Sequence, residues 1–141
     1  MTSENSNSFH VNQRIYKVVV LGAVLSFLSV TAGAFGAHGA KLILPQNLLS
    51  IYETAVRYQT YHSFAILFAG LLLAVPIPFN IKYLKIAVYS FLAGIVLFSG
   101  SLYLYAFTGI KQLGMITPVG GVLLLIGWLF IALSVKPAAP E

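Results

Sequence analysis

Four stretches of this chain run without a charged residue for long enough to cross a bilayer, and that constrains the fold more than any motif. Lys17 and Lys41 bracket Val18–Ala40, and Arg57 and Lys82 bracket Tyr58–Ile81. Lys85 and Lys111 bracket Ile86–Ile110, and Lys111 and Lys136 bracket Gln112–Val135. About 20 apolar helical residues cross a hydrocarbon core. In lipid every backbone polar group must be paired within the segment, so only helices or closed barrels are available, and no period-2 alternation points to a barrel. The predicted fold class is an all-α membrane protein, a four-transmembrane-helix bundle.

Composition closes the alternative of a water-soluble domain. Only 8% of the 141 residues are charged and 59% are hydrophobic, with a mean hydropathy of +0.91; a soluble domain carries about 25% charge. The net charge of +5 would suit nucleic acid in a soluble protein. Here the basic residues are single or paired at the edges of apolar runs, which suits lipid headgroups. The partners expected are therefore the lipid bilayer itself and either a second copy or another membrane protein, and not nucleic acid. The absence of cysteine excludes disulfides and thiol chemistry.

The punctuation predicts one domain over residues 16–135, with helices at about 16–37, 51–75, 84–108 and 113–135. A flexible polar tail is expected over 1–15 and a disordered one over 136–141. Ser50-Ile-Tyr-Glu53 has the spacing of a capping box for the second helix, and Pro76 and Pro78 should end it. Asn80-Ile-Lys82 reads as a turn, and Thr108-Gly109 as the end of the third helix. Arg14, Lys17 and Ala32-Gly33-Ala34 also fit a cleavable signal. The apolar stretch continues to Ala37, so the first span is read as retained. Arg14, Lys17, Lys82, Lys85 and Lys136 share one side against Lys41, Arg57 and Lys111, which puts both termini in the cytoplasm by the positive-inside rule.

Small residues mark helix contacts in membranes because they let backbones approach. Helix 1 carries Gly22, Ser26, Ser29, Gly33, Gly36 and Ala40 at a 3.5-residue period, and helix 4 carries Gly120, Gly121 and Gly127. These faces are expected to pack against each other inside one bundle, with an oligomer or partner interface through helix 1 as the other reading.

Polar side chains that lipid penalises point to function. The topology gathers His38, Glu53, Arg57, Tyr58, His62, Ser99, Ser101, Tyr103 and Thr117 toward one rim, as a candidate binding pocket. His38 and His62 are expected to share it with Arg57 and Tyr58. For most of these the plainer readings are a snorkelling anchor for Arg57, aromatic-belt tyrosines, back-bonded serines and a hydrogen-bonded core histidine. No catalytic residue is assigned, and neither metal nor cofactor is expected. The chain has no P-loop, GxSxG, HExxH or CxxC.

Four blocks carry a resemblance: Gly-Ala-Phe-Gly-Ala-His (33–38), Tyr-Gln-Thr-Tyr-His (58–62), Leu-Phe-Ser-Gly-Ser-Leu-Tyr (97–103) and Thr-Pro-Val-Gly-Gly (117–121). In order and spacing they resemble the YgdD-like family of small four-helix membrane proteins, bacterial with mitochondrial relatives, known as a domain of unknown function. The resemblance implies a bacterial inner-membrane or mitochondrial location and no particular activity. The functional reading is a non-enzymatic membrane component that binds a partner or lipid. The alternatives are a small transporter or channel, and a membrane enzyme acting on lipid or quinone with His62 as base.

Overall fold

Pro45 makes the first sharp break in the chain. Leu44 before it is extended (φ −99°, ψ 136°), as the steric demand of a following proline requires, and the second helix starts immediately afterwards. The computed structural model describes residues 3–75 and 79–135. It contains four long helices: α1 Ser3–Phe35, α2 Gln46–Ala74, α3 Ile81–Thr108 and α4 Thr117–Ser134. Between α1 and Pro45 the chain passes through a π-helical turn, Gly36–Ala40, and a last turn of α-helix, Lys41–Ile43. Lys41 N–H reaches back to Gly36 O to close the π turn. A Cβ at Gly39 would sit 2.5 Å from the Phe35 ring, so that exposed ring lies directly over the glycine. A 3₁₀ segment, Lys111–Met115, leads into α4.

Several boundaries differ from the sequence expectation. The segment expected as a tail over 1–15 enters α1, which is helical from Ser3; once a helix is nucleated, each further residue adds a bond at little cost and no Gly or Pro interrupts it before Gly22. α2 begins at Gln46, so Ser50 is inside it and its hydroxyl bonds to Asn47 O at 2.8 Å instead of capping. Asn80 is the N-cap of α3, accepting from the N–H groups of Lys82 and Tyr83 at 3.1 and 3.4 Å. Gly109 ends α3 with φ 69° and donates to Tyr105 O. The helix breaks expected at Pro76 and Pro78 and the tail 136–141 lie outside the described residues.

The helices run up and down, and the extensive contacts are between chain neighbours: α1 with α2, α2 with α3, and α3 with α4. The helix 1 stripe therefore faces α2. A Cβ on Gly22 would meet Leu67, one on Gly36 would meet the Tyr52 ring, and Gly33 lies opposite Val56. Ser26 and Ser29 turn their hydroxyls onto Gly22 O and Ser26 O of their own helix, and Ser29 is buried. The helix 4 glycines face α3: Gly120 lies on the backbone of Leu97 and Phe98, and Gly127 on the Phe91 ring. Gly121 is half-buried beside Phe98. The two glycine faces thus form two separate seams, each with a chain neighbour.

The main core joins Ala65, Ile66 and Ala69 of α2 to Leu84, Phe91 and Ile95 of α3 and to Leu124 and Ile131 of α4. A second cluster of Ala40, Leu49, Tyr52 and Ala106 lies under the α1–α2 turn. Asn80 N–H donates to Ser134 O at 2.7 Å, which ties the start of α3 to the end of α4. Among the described residues, three segments are long and apolar enough to cross a membrane: Ile15–Ile43, Ile81–Thr108 and Lys111–Ser134. α2 is 29 residues long but is outside that group, because Arg57, Gln59, Thr60, His62 and Ser63 lower its hydropathy.

Candidate functional site

α2 is where the polar side chains collect, and its faces are sorted by partner. Tyr52, Gln59 and Ser63 recur at seven- and four-residue intervals, so they lie along one side of a 3.6-residue helix. That side meets α1. Tyr52 Oη donates to Ala32 O at 2.7 Å, and Gln59 Nε2 donates to Leu25 O at 3.2 Å. The other end of the same amide accepts from Tyr103 Oη at 2.9 Å. Gln59 therefore joins α1, α2 and α3 through one buried side chain. The Tyr52 and Tyr103 rings pack 5.2 Å apart beside it, and Ser63 Oγ donates to Gln59 O at 2.7 Å. A polar group buried among helices in lipid is costly unless paired; both ends of the Gln59 amide are paired.

His62 lies on the flank of this buried side, turned from α1 toward α3 and α4. It is buried, with its ring 5.6 Å from Phe91, 6.3 Å from Trp128 and 6.0 Å from Tyr58. His62 Nδ1 lies 2.7 Å from Tyr58 O. A carbonyl can only accept, so Nδ1 is the protonated nitrogen. Tyr58 stacks on Phe98 at 4.4 Å, which continues this aromatic group along α3.

The candidate residues thus fall into separate groups. Glu53 and Arg57 line a cleft of about 200 Å³ with Gly33, Gly36 and Tyr52, between the end of α1 and the start of α2. Both are exposed, which suits groups at headgroup level. His38 is exposed in the π turn and is not in the cleft lining. His62 and Tyr58 belong to the aromatic group instead, so the structure does not bring the two imidazoles into the Glu53–Arg57 cleft. Ser101 Oγ and Thr117 Oγ1 lie 3.0 Å apart and join α3 to α4. Ser99 is fully buried, and its Oγ has no hydrogen-bond partner among the described residues. No group of three His, Asp or Glu side chains gathers among the described residues.

Gln59 and Tyr52 were not among the candidates, although they carry the bonds that link the most helices. Gln59 stands inside the Tyr-Gln-Thr-Tyr-His block, and its uncharged amide lies in a charge-free interval. Reading by charge and by distance from a helix end passes over it. The available signal was periodicity: Tyr52, Gln59 and Ser63 repeat on one face.

The profile of a family described as "Protein of unknown function (DUF423)" matches residues 32–121. That range covers the α1–α2 turn, all of α2 and α3, and the start of α4, including every residue of the Gln59 bridge except Leu25. A UPF0382 membrane protein of Staphylococcus aureus is 41% identical over 82% of this chain and 92% of its own length. The UPF0382 membrane protein YwdK of Bacillus subtilis is 42% identical, over 82% of this chain and 93% of its own. A UPF0382 membrane protein of Haemophilus influenzae is 40% identical, over 82% and 90%. No solved structure matches the chain. The relatives carry the UPF0382 name, and the four sequence blocks lie within the matched range. An all-helical chain with three membrane-length apolar segments and relatives of this likeness over nearly their whole length belongs to the DUF423 family of UPF0382 membrane proteins.

Proposed function

We propose that this chain is a non-enzymatic component of the bacterial inner membrane that crosses it four times and binds a partner or lipid. The observation that carries the reading is the inverted polarity of α2. Its buried side holds Gln59, His62 and Ser63, while its exposed side holds Tyr61, Phe64, Phe68 and Leu71. A soluble helix has the opposite arrangement. A helix that crosses lipid beside protein neighbours keeps its polar groups inward and its apolar groups outward. α2 is then the fourth span, its modest hydropathy arising from Gln59, His62 and Ser63 turned inward and from Arg57 at headgroup level.

The polar groups inside the fold support a structural role. Gln59, Tyr103, Tyr52, Ser101 and Thr117 spend their hydrogen bonds on joining helices. Arg14 and Lys17, just before the apolar stretch of α1, Lys82 and Lys85 at the start of α3, and Lys136 in the sequence after α4 support a cytoplasmic position for both termini. The test is purification of the tagged full-length chain in mild detergent, with mass spectrometry of co-purifying proteins and lipids. Stoichiometric recovery of a membrane protein or lipid is the expected result. Substrate-dependent flux in liposomes holding the pure chain, or turnover of an added lipid or quinone, would overturn the reading.

A further inference from the structure

The end of the molecule away from the Glu53–Arg57 cleft holds a second cavity. α1 and α3 both pack on α2, and near the end of α2 they leave a cleft of about 200 Å³ between them. Its walls are apolar: Leu21 from α1, Leu73 from α2, and Leu84 and Val88 from α3. Lys17 of α1 and Lys85 of α3 also line it, and both are exposed. Lys82, one turn before Lys85, adds an exposed cation nearby. The one acidic side chain among those described, Glu53, lines the cleft at the opposite end of α1.

These features define what can fill the cleft. Apolar walls opening to the side of a membrane protein take hydrocarbon, because an empty groove would forfeit dispersion contacts. Two ammonium groups from different helices, at headgroup level and facing no described carboxylate, favour an anion held between them. A single molecule satisfying both has an acyl chain and a net negative head. A zwitterionic lipid brings its own cation to the lysines and gains less. We propose that this cleft is a binding site for an anionic phospholipid of the bilayer, with its phosphate between Lys17 and Lys85 and one acyl chain along Leu21, Leu73, Leu84 and Val88. This deepens the functional reading above and rests on it, since it needs these helix ends at the headgroup level of the basic side.

The test is native mass spectrometry of the full-length chain, titrated with phosphatidylglycerol or with phosphatidylcholine of the same acyl chains. The expected preference for phosphatidylglycerol is on the order of 10- to 30-fold, from two lysines near an anionic head. The pair K17Q/K85Q should remove most of it, and K17R/K85R, which keeps both charges, should retain it. The pair K41Q/K111Q removes the same charge at the other end and should also retain it. Equal binding by the parent and K17Q/K85Q, or an equal loss in K41Q/K111Q, would overturn the site in favour of diffuse surface charge. Solute flux in liposomes of the same preparation would overturn the non-enzymatic component while leaving a lysine-dependent lipid preference intact, so the two failures are distinguishable.

Discussion

Gly120→Ala adds one methyl group where α4 lies directly on the backbone of α3. The new Cβ would overlap Phe98 N, stand 2.8 Å from Phe98 Cα, and stand 2.9 Å from the Leu97 carbonyl carbon. These are main-chain atoms and cannot rotate aside. Ordinary carbon contacts begin near 3.5 Å, so the helices must part locally by roughly 1 Å. Overpacking of this kind costs about 1–3 kcal/mol, offset by the roughly 0.5–1 kcal/mol that alanine gains over glycine inside a helix. The expected net loss is roughly 0–2.5 kcal/mol, about 1 at the middle of both ranges. Gly100 is the internal control, because a Cβ there has nothing within 4 Å; Gly100→Ala should gain about 0.5–1 kcal/mol from propensity alone. Unfolding by added sodium dodecyl sulfate in mixed micelles, followed by circular dichroism, reads both. If Gly120→Ala gains stability as Gly100→Ala does, close α3–α4 packing at this point is refuted.

The α1–α2 seam makes a similar contrast on one helix. Gly36→Ala should destabilise by about 1–3 kcal/mol, because its Cβ would meet the buried Tyr52 ring at 2.9 Å, whereas Gly33→Ala, 3.5 Å from Val56, should be neutral or better in the same assay. Gln59→Leu should cost about 1–2 kcal/mol and Tyr103→Phe about 0.6, the usual scale of interhelical hydrogen bonds in membranes. The double variant should cost less than the sum of the two, and strict additivity in that cycle would show that the Gln59–Tyr103 bond carries nothing. His62→Phe, which keeps the ring among Phe91 and Trp128, should stay within about 1.5 kcal/mol of the parent, and a larger loss would assign His62 a polar contact beyond its own helix.

The helices were legible in the sequence because lipid leaves few choices: a charge-free run of membrane length must be a helix, and small residues at a 3.5-residue period must face a neighbour. Gly109 also declared itself, since a left-handed C-cap needs glycine. What sequence could not supply was which neighbour. The glycines of helices 1 and 4 read equally well as one shared seam, and only the fold places Gly22 on Leu67 and Gly120 on Phe98. The start of α2 was misjudged because a capping-box spacing at Ser50 outweighed Pro45, whose fixed φ suits a helix start equally well. Among site residues, charge drew attention to Glu53 and Arg57. The uncharged Gln59 joins more helices than either, because an amide donates and accepts at once. His38 and His62 were grouped by their position along the chain, but rotation about the helix axis turns His62 toward α3 and α4.

The central claim is that α2 crosses the membrane in spite of its polar residues, and cysteine accessibility tests it most directly. The chain has no native cysteine, so single substitutions can be introduced on an unlabelled background. Asn47→Cys precedes most of α2, and Lys82→Cys follows it; both positions are exposed. With a membrane-impermeant maleimide on intact cells, Asn47→Cys should label directly, and Lys82→Cys only after the membrane is opened. Labelling of both from the same side would show that α2 does not cross, and the four-span account would fall with it.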